Sequence, residues 1–447
     1  MTFDPRGNPV STASAAALDA SERALWRMMS FYGTPIDDLD AALRADPSWL
    51  LPRVMKAGFL LGLTEPSLQA EAAALLAGAA PSAVRANERE RAHLDAVQRL
   101  GAGDWAGAAE RWGEILREHP RDALALQWAH LFDFHRGDAA ALQQRAEAVL
   151  PAWPEDDALH PYVLALHAFG LEESGRYAEA EATGRRALAG PARVPWAIHA
   201  VAHVMEMQGR HEEGARWMAD WRRHWGARAG DSSGAEPNGF AGHLGWHEAL
   251  FALERLDTGA ALRRFDDYLG AAIEITLQRV DAASLLWRLH LLGVDVGARW
   301  QALLAGWPLD AAVAGHSVFN DAHATMALIG AGEITRALAW VALCIDAAER
   351  RSGWNHDVSG AIGAPLLRGL LAFGTGDFGN ATAHIAPLRE RLARIGGSHA
   401  QRDVVTQTLL AAAARGGDHV AGRALHEART RGRPETPLTA WWSRALR

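Results

Sequence analysis

The sequence predicts an all-α fold, a tetratricopeptide-repeat-like superhelical solenoid of about eleven helix pairs. Three observations predict it. Ala, Leu and Arg are abundant while strand-forming runs are hard to find, which favours helix throughout. Eight segments share one form: an apolar helical run, a tight turn usually at Gly, and a second helix rich in Ala. The spacing of those turns is mostly near the ~34 residues of a tetratricopeptide repeat.

The eight turns fall at Gly103, Gly137, Gly175, Gly209, Leu256, Gly332, Gly376 and Gly417, with weaker copies at Gly33, Gly62 and Gly293. Gly suits this point because the left-handed residue that ends the first helix carries a steric penalty for any Cβ. The early helices are expected over Leu18–Phe31, Ile36–Ala45, Trp49–Leu61 and Ser67–Ala77, and the pairs are regular from Glu88 to Arg223. Pro47 and Pro120 stop two of the second helices, since proline cannot continue the hydrogen-bond ladder.

Between Gly226 and Gly242 lies a Gly/Ser/Pro/Asp-rich insertion that no helix carries. Loops of this length serve as lids over sites about as often as they serve as plain surface connections. TAWWSRALR at the end reads as a short capping helix. Each repeat buries its apolar stripe against its neighbours, so one continuous array is expected over 1–447. Its N-terminal repeats span 18–190, its central repeats 191–330, and its C-terminal repeats and cap 331–447.

Composition excludes several functions. A net charge of −8 and a pI near 6.2 leave no general basic field for nucleic acid or anionic lipid. The sole cysteine, Cys344, has no partner for a disulfide and sits on an apolar helical face, which reads as core in a reducing compartment. The first residues lack a basic start followed by an apolar core, and no stretch reaches the ~18 apolar residues of a spanning helix. A cytoplasmic protein without membrane association is expected. The glycine loops GAGDW and GTGDF are repeat turns, since no strand precedes them as a nucleotide loop requires.

Chemistry concentrates on the first helices of the central repeats, which line the concave face of such arrays. WAIHAVAHVMEMQGR spaces His199, His203 and Glu206 four and three apart, on one helix face. GHLGWHEAL repeats the device with His243 and His247 one turn apart. His at i and i+4 is the spacing by which a helix offers two imidazoles to one zinc ion. His199, His203, His243 and His247 are therefore candidate metal ligands, with a divalent ion such as zinc as the candidate cofactor. Glu206, His203, Asp321 and His323 are candidate catalytic groups, with Glu206 or Asp321 as the base. Trp196 and Trp246 would wall the pocket, and Arg288, Arg402 and Asp403 would hold substrate. For Arg288 and Arg402 a second reading stands, as structural partners of Asp281 and Asp403. Single histidines such as His290, His316, His356 and His399 read as ordinary polar lining, and His160 and His167 as helix-start and packing residues.

The strings WAIHAVAHVMEMQGR, HLGWHEALFALE, DAASLLWRLHLLGVDVGARW, FNDAH and GGSHAQRDV carry a resemblance to the tetratricopeptide repeat protein 38 family over most of the chain. The resemblance implies an all-helical repeat solenoid. It also implies that His199, His203, Glu206, His243, Trp246, His247, Asp321, His323, Arg402 and Asp403 fall on family motif positions. His399 departs from the family pattern, where Asn is tolerated. No general reaction comes with the family.

Two functions follow as expectations. The first is a small-molecule site performing metal-assisted hydrolysis or acid/base chemistry. The second is a non-catalytic scaffold holding a peptide or protein partner in an open groove. Assembly as a homo-oligomer is compatible with both.

Overall fold

The turn positions named above hold left-handed residues. In the computed structural model, which describes residues 2–226, 236–270, 275–350 and 353–447, φ is between +65° and +83° at Gly33, Gly103, Gly137, Gly175, Gly209, Gly293, Gly332, Gly376 and Gly417. Leu256 takes the same conformation at φ +58° despite its Cβ. Gly62 differs: it ends the helix Leu50–Gly62, and the left-handed residue is Thr64.

Behind these turns, Gly33 excepted, stands the same bonding. The amide after the left-handed residue donates to the carbonyl five positions back, as from Asp104 to Arg99 at 2.9 Å, Asp257 to Ala252 at 2.9 Å and Asp418 to Ala413 at 3.0 Å. This is the closure that satisfies the orphan carbonyls of a helix end. Asp104, Asp138, Asp257, Asp377 and Asp418 then cap the next helix, each side chain accepting the amide three residues on. The Gly-Asp pair thus ends one helix and starts the next. The result is an all-α array of tetratricopeptide-repeat-like hairpins.

The chain parts into two compact units, Met1–Val201 with Ala227–Phe240, and Ala202–Gly226 with Ala241–Arg447. The parting falls inside the helix Pro195–Met207. Residues 227–235 of the central insertion lie outside the described residues.

The first unit opens on a two-stranded antiparallel hairpin, Thr2–Phe3 with Pro9–Val10, an exception to the strand-free reading. Its turn forms because Asp4 accepts the amides of Arg6 and Asn8, both at 2.9 Å. From Glu88–Gly101 through Trp105–Glu118, Ala123–His135, Ala139–Val149, His160–Glu173 and Tyr177–Ala187, each helix packs on the next. Ile36–Ala45 has the bounds expected from sequence. His160 begins its helix, as its reading required.

In the second unit the helix Thr276–Leu291 is the hub. It packs on Ala241–Glu254, on Val318–Gly330 and on His399–Gly416. The last contact joins segments more than one hundred residues apart, with Trp287 Nε1 donating to Thr408 Oγ1 at 2.9 Å. A stack of nearest neighbours alone does not supply that contact, so this unit curls back on itself. Cys344 is buried in the core, and burial pushes its thiol pKa up, as its reading as core required. Pro437–Ala445 forms the C-terminal helix. Among the described residues no helix is long and apolar enough to cross a membrane.

Candidate functional site

The hub helix brings the histidine motifs into one buried centre. His203 and Glu206 lie on Pro195–Met207, His243 and His247 on Ala241–Glu254, and Asp281 on Thr276–Leu291. All five belong to the second unit. His203 and His247 are fully buried. Their rings meet edge to face with centroids 4.5 Å apart, and His243 meets His247 at 4.9 Å. One ring nitrogen from each of His203, His243 and His247 lies within 4.8 Å of the others.

Two carboxylates hold two of these rings. His247 Nδ1 lies 3.1 Å from Glu206 Oε2, and His243 Nδ1 lies 2.8 Å from Asp281 Oδ2. The other oxygen of Asp281 accepts the Gln401 amide at 3.3 Å. A carboxylate on Nδ1 fixes the ring orientation and favours the tautomer with its lone pair on Nε2. Glu206 and His243 keep 13% and 15% side-chain exposure, so the centre reaches solvent through these two groups.

Burial also sets the proton affinities. Desolvation pushes the Glu206 carboxyl up to about 7, against the opposing pull of Arg288. His247 is held well below the usual imidazole value, first by burial and then by the neighbouring His243. A carboxylic acid poised near neutrality beside a neutral imidazole can pass a proton across their shared hydrogen bond.

Trp246 backs the centre. Its ring stacks on His243 at 5.4 Å, meets His247 edge-on at 4.8 Å, and carries the Arg288 guanidinium over its face at 5.4 Å. Arg288 is buried and donates to Ser284 Oγ, the Ser284 carbonyl at 3.2 Å and the Ala400 carbonyl at 2.7 Å. Desolvation lowers its pKa. The expected structural pairings differ from those observed: Asp281 bonds His243 and Gln401, and Asp403 bonds Arg429. The Arg429 guanidinium binds both Asp403 oxygens at 2.8 Å, Gln407 adds a further donor at 2.8 Å, and Glu254 lies 3.4 Å away. Although burial works to raise it, Arg429 holds the Asp403 carboxyl below its usual range.

The remaining candidates make other contacts. His323 donates from Nδ1 to the Phe319 carbonyl at 2.7 Å, and burial lowers its pKa to about 4. Its ring nitrogens are not among those gathered within 4.8 Å. Asp321, two positions earlier, accepts the Gly315 amide at 3.4 Å and neighbours the Cys344 thiol. Side chains two apart on a helix point to nearly opposite sides, so Asp321 and His323 do not share a face. Arg402 turns back to the Gly397 carbonyl. In the first unit, His199 is buried, one turn before His203 on the same helix. Its ring packs on Trp196 at 4.7 Å, Phe169 at 5.3 Å and Phe240 at 5.0 Å. Trp196 also stacks on Phe31 at 5.8 Å.

Sequence reasoning missed the role of Asp281 as partner of His243, and Gln401, Ser284 and Arg429 altogether. The i+3 spacing of Asp281 and Ser284, with Arg288 one turn further on, marked one face of the hub helix. Nothing local in the sequence says which helix that face meets.

No family model matches the chain. Among solved structures the chain is similar to yeast Tom70, at 13% identity and a TM-score of 0.37, over 96% of this chain and 87% of that one. It is also similar to a chain of the Naa15/Naa10 complex bound to HypK-THB, at 12% identity and a TM-score of 0.26, over 93% of this chain and 63% of that one. The fold class rests on the hairpins themselves, and these likenesses carry nothing about the chemistry of the centre.

Proposed function

We propose that this chain is a tetratricopeptide repeat protein 38 family member whose second unit acts on a small molecule at the His203–Glu206–His243–His247–Asp281 centre. The reaction class is hydrolysis or a related acid/base rearrangement. The observation that carries the reading is the doubled imidazole–carboxylate contact, Glu206 on His247 and Asp281 on His243, around a third buried imidazole. Buried polar groups destabilise a core unless they are bonded, and a helical core needs none of them for packing. In this reading Glu206 and His247 exchange the proton with substrate, His243 faces the entering molecule, and Trp246 forms the rear wall. Burial of His203 and His247 also speaks against a peptide groove, where such side chains would be spread along an open channel.

The test is a comparison of purified wild-type protein with Glu206→Gln on a complex small-molecule extract, followed by mass spectrometry. At least one compound should be consumed by wild type and spared by the variant. Identical profiles for both proteins would overturn the reading.

A further inference from the structure

We infer that His203, His243 and His247 together bind one divalent transition ion of the zinc class, with Glu206 and Asp281 orienting two of the rings. This deepens the small-molecule reading above and rests on it only for the purpose of the ion.

Geometry supports the assignment first. Zinc–nitrogen bonds of about 2.0–2.1 Å put an imidazole centroid about 3.2 Å from the ion, so two tetrahedral ligands have centroids about 5 Å apart. The observed separations, 4.5 Å for His203–His247 and 4.9 Å for His243–His247, are close to that distance. Their ring planes are inclined at 63° and 89°. The gathered ring nitrogens, within 4.8 Å of one another, need to close to about 3.3 Å, which small side-chain rotations supply.

The surroundings supply the second argument. Metal-binding histidines usually donate their other nitrogen to a carboxylate, and two of these three do so, to carboxylates carried on two different helices. Asp281 is itself steadied by Gln401, so the support extends one layer further. His243 and His247 sit one helical turn apart, the spacing that presents both to one ion. Imidazole nitrogen favours zinc, copper, nickel or iron over magnesium or calcium, which take oxygen. Three protein ligands leave a coordination position for solvent or substrate on the side where His243 keeps its exposure, as catalytic zinc sites do.

The experiment uses the full chain, stripped with a chelator, dialysed, and titrated with Zn²⁺ by calorimetry and with Co²⁺ by visible absorption. Wild type should take up one equivalent of each ion per chain, with Co²⁺ giving the intense d–d bands of a site below octahedral coordination. His203→Ala and His247→Ala should lose this uptake, and His290→Ala, outside the cluster, should keep it. Asp281→Asn retains the side-chain volume and should weaken binding by about 10–100-fold, which keeps the test open if an alanine variant fails to fold. No uptake by wild type, or uptake unchanged in both His203→Ala and Asp281→Asn, would overturn the inference. No uptake by wild type together with turnover intact would overturn the ion and leave the acid/base centre standing. A loaded ion with no compound consumed would bear out the site and overturn the proposed function instead.

Discussion

Glu206 Oε2 and His247 Nδ1 stand 3.1 Å apart, although their residues are 41 positions apart in the chain. The contact fastens Pro195–Met207 to Ala241–Glu254 inside the second unit. It makes one carboxyl and one imidazole a single proton-holding unit.

The two partners differ in what their removal does. His247→Ala deletes a fully buried ring and strips Glu206 of its partner, which costs about 1–3 kcal/mol for the unmet group before any cavity term. Glu206→Gln keeps an oxygen acceptor in place and should change stability by less than about 1 kcal/mol. Urea unfolding of both variants against wild type measures the difference.

A buried ion pair in the first unit sets an acid limit. Asp122 accepts Arg89 Nη1 at 2.7 Å, lies 2.9 Å from His93 Nε2 and takes the Ala125 amide at 2.9 Å. Burial works to raise its pKa, but His93 and Arg89 outweigh it and hold the carboxyl below its usual range. A carboxyl depressed in the folded state contributes stability above its unfolded value of about 3.9, and loses it as pH falls below that value. The stability advantage of wild type over Asp122→Asn should therefore be full at neutral pH and shrink below about pH 4. Chemical denaturation across pH for both proteins checks it.

Arg429 and Asp403 tie the helix His419–Thr430 to the helix His399–Gly416. Arg429→Ala leaves the part-buried Asp403 without its bidentate partner and should destabilise by about 1–3 kcal/mol. The shift in the thermal midpoint measures it.

Gly214 packs directly under Phe251. An added Cβ would stand 2.2 Å from Phe251 Cζ, against a rigid ring in a filled core. Gly214→Ala should cost about 1–3 kcal/mol through overpacking, read by denaturant midpoint.

Much of this was legible along the chain, and the reasons are local. Periodicity and a left-handed turn are both short-range, so Gly103, Gly137 and even Leu256 announced their hairpins. The His199–His203–Glu206 and His243–His247 spacings were legible because a helix face is defined within two turns. What the spacing could not give was the meeting of faces. Asp281 looked like a partner for Arg288, and only the packing of the hub helix on Ala241–Glu254 gives it to His243. Asp403 looked like a partner for Arg402, which instead folds back to Gly397, while Arg429 reaches Asp403 from the following helix. The hairpin at Thr2–Phe3 escaped notice because two-residue strands have no periodicity to read; side-chain bonds from Asp4 define it.

The most direct measurement is the protonation of His247 and His243 by nitrogen-15 shifts of the metal-free protein at pH 8, where Glu206, with its value of about 7, is ionised. In each ring Nδ1 should carry a proton, donated to Glu206 in one and to Asp281 in the other. A proton residing on Nε2, or tautomers averaged as in free solvent, would contradict the buried imidazole–carboxylate centre.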